Sequence, residues 1–125
     1  MFENSKAFSG FSVDDVPRAR RFYEETLGIK VSAANGSLLL HIAGDRDTFV
    51  YPKPDHTPAS FTILNFPVDD IEAAVDGLVE RGVRFERYAG TEIETDERGI
   101  FRGGGPYIAW FKDPAGNVLS VIQDR

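Results

Sequence analysis

Hydrophobic and polar positions follow two different periods along this chain, and the periods change in the same order twice. Extended, largely apolar segments at 7–13 and 60–68 run into the aspartate pairs Asp14-Asp15 and Asp69-Asp70, which suit a helix N-cap. Beyond the first pair, Val16, Ala19, Phe22, Tyr23 and Leu27 fall on one helical face; beyond the second, Ile71, Ala74, Val75, Leu78 and Val79 do. The opposite faces carry Arg18, Arg20, Glu24, Asp76 and Glu80, as expected of helices lying on a sheet. Pro17 is tolerated in a first helical turn, and Gly28 and Gly82 suit a left-handed stop. The pattern then changes to strands at 30–33, 37–43 and 47–51, and again at 84–88, 107–112 and 118–123. Asn35-Gly36, Gly44-Asp45 and the run Asp113-Pro114-Ala115-Gly116-Asn117 supply the turns, so consecutive strands are expected to pair as antiparallel hairpins. The glycine-rich, charged segment 89–106 is too long and polar for a hairpin turn and is expected to be a loop.

The two halves also match residue by residue. Val13-Asp14-Asp15-Val16 recurs as Val68-Asp69-Asp70-Ile71, and Leu27-Gly28-Ile29-Lys30-Val31 is answered by Arg81-Gly82-Val83-Arg84-Phe85. The pattern predicts an α+β protein built from two tandem β-α-β-β-β modules, at about 6–54 and about 59–124. With 125 residues and 42% hydrophobic content, the chain suffices for one compact core, so the modules are expected to form a single domain over 1–125.

Charge narrows the partners. A formal net charge of −6 disfavours nucleic acid and anionic membranes, which attract basic surfaces. The chain has no cysteine, which excludes disulfides, thiolate metal sites and cysteine nucleophiles. The N-terminal stretch lacks the basic-then-apolar pattern of a signal peptide, and no apolar run is long enough to span a bilayer; a soluble cytoplasmic protein is expected.

Val13-Asp14-Asp15-Val16 with Arg20-Arg21-Phe22-Tyr23 and Leu27-Gly28, together with Phe111-Lys112-Asp113-Pro114-Ala115-Gly116-Asn117, resembles the vicinal oxygen chelate superfamily. That superfamily groups glyoxalases, bleomycin-resistance proteins and extradiol dioxygenases, and the resemblance covers essentially the whole chain. It implies a glyoxalase-like fold, a cupped mixed or antiparallel sheet with the helices on its convex side, and a homodimer. In metal-using members it places ligands, usually histidines and a glutamate, at positions that fall here on Phe8, Val50, Ile63 and Ser120. None of the four is a metal-binding side chain, whereas a catalytic divalent ion wants about three His, Asp, Glu or Cys donors. No metal or other cofactor is therefore expected.

With strand alternation, the concave wall is expected to include Phe8, Gly10 and Ser12, Thr48 and Val50, Phe61, Ile63 and Asn65, and Val118, Ser120 and Ile122. Trp110 and Tyr107 would add stacking surface, Arg102 would pair with an anionic group, and His41 would offer an acid, base or donor. The expected ligand-binding set is Phe8, Ser12, His41, Val50, Ile63, Asn65, Arg102, Tyr107, Trp110 and Ser120. His56, in a proline-rich turn, is given no role. No second histidine is spaced to join His41, and a site joining His41 to a distant carboxylate stays open. Gly103-Gly104-Gly105 precedes a strand instead of opening a helix, so it is no phosphate loop. Ser120 has no base placed beside it by sequence.

Three function classes follow. The first is a metal-free binding protein holding a partly apolar small molecule. The second is an enzyme: a glyoxalase-like lyase or dioxygenase with an unrecognised metal site, or a metal-free catalyst using His41, Tyr107 or Glu92. The third is a domain that only pairs with others.

Overall fold

The computed structural model describes residues 1–44 and 46–125, so the Asp45 half of the expected Gly44-Asp45 turn lies outside the described residues. The chain divides into two compact units, Met1–Thr57 and Pro58–Arg125.

In the first unit, β1 (Gly10–Val13) leads into α1 (Val16–Arg21), and β2 (Val31–Ala34), β3 (Ser37–Leu40) and β4 (Thr48–Pro52) follow. The spatial order is β1-β4-β3-β2, with β1 parallel to β4 and the other pairs antiparallel. The Asp15 carboxylate caps α1 by accepting from the Arg18 amide at 3.1 Å. After one and a half turns the helix widens into a π-helical turn, Phe22–Thr26, in which the Leu27 amide reaches back to the Phe22 carbonyl. This turn carries Tyr23, wholly buried between Phe11 and Phe22. The β2–β3 turn is Asn35-Gly36 with both φ angles positive, 52° and 83°, the two-residue hairpin geometry its sequence predicts.

The second unit repeats the plan. Strands β5 (Thr62–Pro67), β6 (Ile100–Phe101), β7 (Tyr107–Lys112) and β8 (Val118–Gln123) lie in the order β5-β8-β7-β6, with β5 parallel to β8. Helix α2 (Ile71–Glu80) is capped by Asp70, which accepts from the Ala73 amide, and by the Gln123 side-chain carbonyl, which accepts from the Ile71 amide at 2.8 Å. Asp113 and Asn117 are almost fully buried at the β7–β8 turn. The Asp113 carboxylate accepts from the amides of Ala115 and Asn117 and from the Asn117 side chain, so the turn satisfies its own polar groups.

The outer strand of this unit differs from expectation. The strand predicted at 84–88 is reduced to a bridge from Phe85 to Phe111, plus a bond from the Glu86 amide to the Trp110 carbonyl. The rest of the outer position is taken by β6, which lies inside the segment expected to be a loop. Asp96 folds the chain back, accepting from the amides of Arg98 and Ile100, and Gly99 lies against Phe85 and Glu86 at φ 86°. Two short, non-contiguous segments thus share one sheet edge, which no local pattern announces.

Candidate active-site faces

Each sheet has one face covered by its own helix. In the first unit α1 packs on β3 and β4, and the buried residues are Leu38, Leu40, Thr48 and Val50, with Val13 and Val31. Register then assigns the other face: Gly10 pairs with Phe49, Ser12 with Tyr51, and Leu39 with both Phe49 and Ser32. Val50 and Thr48 were expected beside Ser12 and instead lie beneath α1. The run Thr48-Phe49-Val50-Tyr51 is apolar enough on both alternations that its sequence does not tell the faces apart.

The helix-free face of this unit is half-buried and aromatic at its centre, where Phe49 and Tyr51 stack with ring centroids 5.5 Å apart. It is flanked by two histidines. On one side His56, brought back by the 53–56 turn, shares a 2.7 Å hydrogen bond between Nδ1 and the Ser12 hydroxyl. On the other, His41 meets Ser32 Oγ through Nε2 at 2.7 Å and Asp47 Oδ1 through Nδ1 at 3.0 Å. Phe8 precedes β1, is 71% exposed, and with Lys6, Leu39, Arg46 and Asp47 lines a groove of about 550 Å³. Of the expected residues, Ser12 and His41 thus bracket this face from opposite edges, and Phe8 shares the groove with Asp47, the partner of His41. Phe49, Tyr51, His56, Ser32 and Asp47 join them unanticipated; the signal for the last two, a serine on β2 and an aspartate just before β4, needs the register to be read.

In the second unit α2 packs on β7 and β8 over Ala109, Phe111, Leu119 and Val121. On the opposite face Ser120 is fully buried, in register with Trp110 and Asn65, and its hydroxyl donates to Asn65 Oδ1 at 2.6 Å. The Trp110 indole N–H donates to Thr62 Oγ1, and its ring contacts Tyr88 edge-on and Phe101 at a tilt. Ile63 falls at a bulge between Thr62 and Leu64, which breaks the alternation that was to align it with Asn65. Burial raises the Tyr88 hydroxyl above its ordinary pKa, with the Glu86 charge adding to the effect.

Arg102 and Tyr107 are elsewhere. Tyr107 is in register with Gln123, the residue that caps α2, and the guanidinium groups of Arg102 and Arg125 lie over its ring. Arg102 donates to Asp96 and to Glu72 on α2, and these anions hold its pKa further up. Burial alone would raise the Asp96 carboxyl. The Ile100 amide, the Arg102 guanidinium and the Arg98 amide outweigh it and leave the group below the usual carboxylate range. This network joins β6 to α2 and has no part in the helix-free face.

The metal positions implied by the resemblance can be tested against these placements. Phe8 and Ile63 are apolar, Val50 is beneath α1, and Ser120 is bonded to Asn65; the residues of β4 that face the same side as Ser12 are Phe49 and Tyr51, neither of them a His, Asp, Glu or Cys donor. This donor set does not fit a divalent ion. Among the described residues no three His, Asp or Glu side chains gather to hold one.

Two sheets of order 1-4-3-2, each with a helix on one face, define a duplicated β-α-β-β-β protein of the glyoxalase-like α+β fold. The chain belongs to the Glyoxalase/Bleomycin resistance protein/Dioxygenase superfamily, whose sequence pattern matches residues 8–121. It is 27% identical over 127 residues to a curated Vibrio parahaemolyticus protein described as a "probable lactoylglutathione lyase", covering 90% of this chain and 86% of that one. Among solved structures it resembles TnmS3, an antibiotic binding protein from Streptomyces sp. CB03234, at 26% identity and a TM-score of 0.65 over 95% of this chain and 96% of that one. A glyoxalase family protein from Enterococcus faecalis shares the fold, with a TM-score of 0.68 at 22% identity, over 98% and 99% of the two chains. Among the described residues no helix is long and apolar enough to cross a membrane.

Proposed function

We propose that this protein is a metal-free small-molecule binder that holds a planar, partly apolar ligand on a helix-free sheet face. The observation that carries the reading is the stacked Phe49–Tyr51 pair between two histidine-centred hydrogen-bonding groups. Aromatic surface with a few fixed polar groups is the composition of small-molecule sites. In the first unit Phe8, Ser12 and His41 serve this face; in the second, Asn65, Trp110 and Ser120 offer a comparable lining. The likeness to an antibiotic binding protein supports the same reading. The protein is taken to act in the cytoplasm as a homodimer.

The competing reading is a lyase, favoured by the Vibrio relative and opposed by the side chains at the four implied ligand positions. Elemental analysis of protein incubated with zinc, nickel, manganese and ferrous iron separates the two, run beside a thermal-shift screen of planar aromatic compounds. The expected result is less than a tenth of an equivalent of metal and a ligand-dependent rise in Tm, lost in Tyr51→Ala. Near-stoichiometric metal with turnover of lactoylglutathione overturns it.

A further inference from the structure

The hydrogen bonds around His41 form a directed chain with a chemical polarity of its own. The Asp47 carboxylate, when ionised, only accepts hydrogen bonds, so a neutral His41 in contact with it carries its proton on Nδ1. Nε2 is then the basic nitrogen, and it lies 2.7 Å from Ser32 Oγ, which has a proton to give. Nucleophile, base and carboxylate thus stand in the order and at the distances of a serine-hydrolase relay.

The topology supplies the remaining parts. Ser32 is on β2, the edge strand, and faces the helix-free side with its register partner Leu39. The His41 amide bonds the Lys30 carbonyl, which fixes the hydrogen-bonded pairs as 30/41 and, two residues on, 32/39. The intervening position Ala33 therefore directs its amide away from β3, to the open edge, next to the serine. A backbone N–H following the nucleophile is what a tetrahedral oxyanion needs. Leu39 and Asp47 also line the groove that Phe8, Lys6 and Arg46 complete, giving an apolar wall with two cations beside the relay. His41 and Asp47 side chains are 31% and 44% exposed, so water reaches the site.

From this arrangement we propose that Ser32, His41 and Asp47 form a hydrolytic site for short-chain carboxylic esters, a function separate from the ligand binding proposed above. Ser32 Oγ attacks the acyl carbon while its proton passes to His41 Nε2. The tetrahedral intermediate collapses with cleavage of the ester C–O bond, and the departing alkoxide takes the proton from Nε2 to leave as the alcohol. Water then attacks the acyl-serine, giving its proton to Nε2, and collapse returns that proton to Ser32 and releases the acid. Ser32 and His41 are the catalytic residues; Asp47 is a positioning residue that holds the imidazole in its basic tautomer.

The test combines 4-nitrophenyl butyrate hydrolysis with labelling by an alkyl fluorophosphonate and peptide mass spectrometry on the wild-type chain. The expected result is a single adduct on Ser32, absent from His41→Asn, and a fall of about 100-fold in turnover above background in Ser32→Ala. Asp47→Asn is expected to lower kcat with KM retained. Unfolding of each variant is followed alongside; should Ser32→Ala fail to fold, the wild-type adduct decides. No adduct, an adduct on another residue, or unchanged turnover in a folded Ser32→Ala overturns the proposal, whatever the ligand screen finds.

Discussion

At Gly99 a single missing Cβ allows two parts of the chain to share a sheet edge. The residue has φ 86°, where L side chains are strained, and a Cβ built there would lie 2.8 Å from Phe85 Cβ and 3.1 Å from the Glu86 carbonyl. Gly99→Ala is expected to cost about 2 kcal/mol in urea-induced unfolding, and an unchanged midpoint would show that the edge relaxes around it. On β4 the two alternations differ by one position and are equally apolar. Val50 and Phe49 are both apolar, and only the pairing of Gly10 with Phe49 shows which of them shares the face of Ser12. His41 stands out in the sequence as a lone imidazole in an apolar run, whereas its partners Ser32 and Asp47 are ordinary strand and turn residues until β2, β3 and β4 are aligned.

At the scale of elements, the Asp96 turn and α2 are joined by charge. Arg98 and Arg102 both reach Glu72, Arg98 also pairs with Asp76, and Asp96 anchors Arg102. Because the folded-state pKa of Asp96 is depressed, its ionised form stabilises the fold above the unfolded carboxylate value of about 3.9 and loses that contribution as pH falls through the folded value. Asp96→Asn should therefore lower stability by about 1 kcal/mol at neutral pH, and the gap from wild type should close below about pH 4. Urea titrations at pH 7, 5 and 3 would read it; a gap that stays constant assigns the effect to lost hydrogen bonds alone. The helices themselves were legible in advance because their caps are local: Asp15 and Asp70 act within three residues. The π-helical turn at Phe22–Thr26 was not. A 3.6-residue periodicity places Phe22 and Tyr23 on one face without showing that the backbone widens to bury Tyr23.

At the scale of the whole molecule, the two units repeat one strand order and one helix placement, as the matched Val-Asp-Asp motifs predicted. A homodimer, implied by the family resemblance, gives sedimentation equilibrium at twice the mass of one chain over micromolar concentrations; a single-chain mass throughout would remove it.

The sequence determined by itself whatever depends on neighbours a few residues away. Caps, the Asn35-Gly36 hairpin, the buried Asp113–Asn117 turn and the alternation of period within each module are written in short stretches, and with them the fold class and family. Tertiary structure alone decided which alternation of each strand meets a helix. A one-residue change of phase leaves the local pattern intact and sends every side chain to the other side. That choice put Val50 beneath α1, joined Ser32, His41 and Asp47, and set Arg102 and Tyr107 among the charges beside α2.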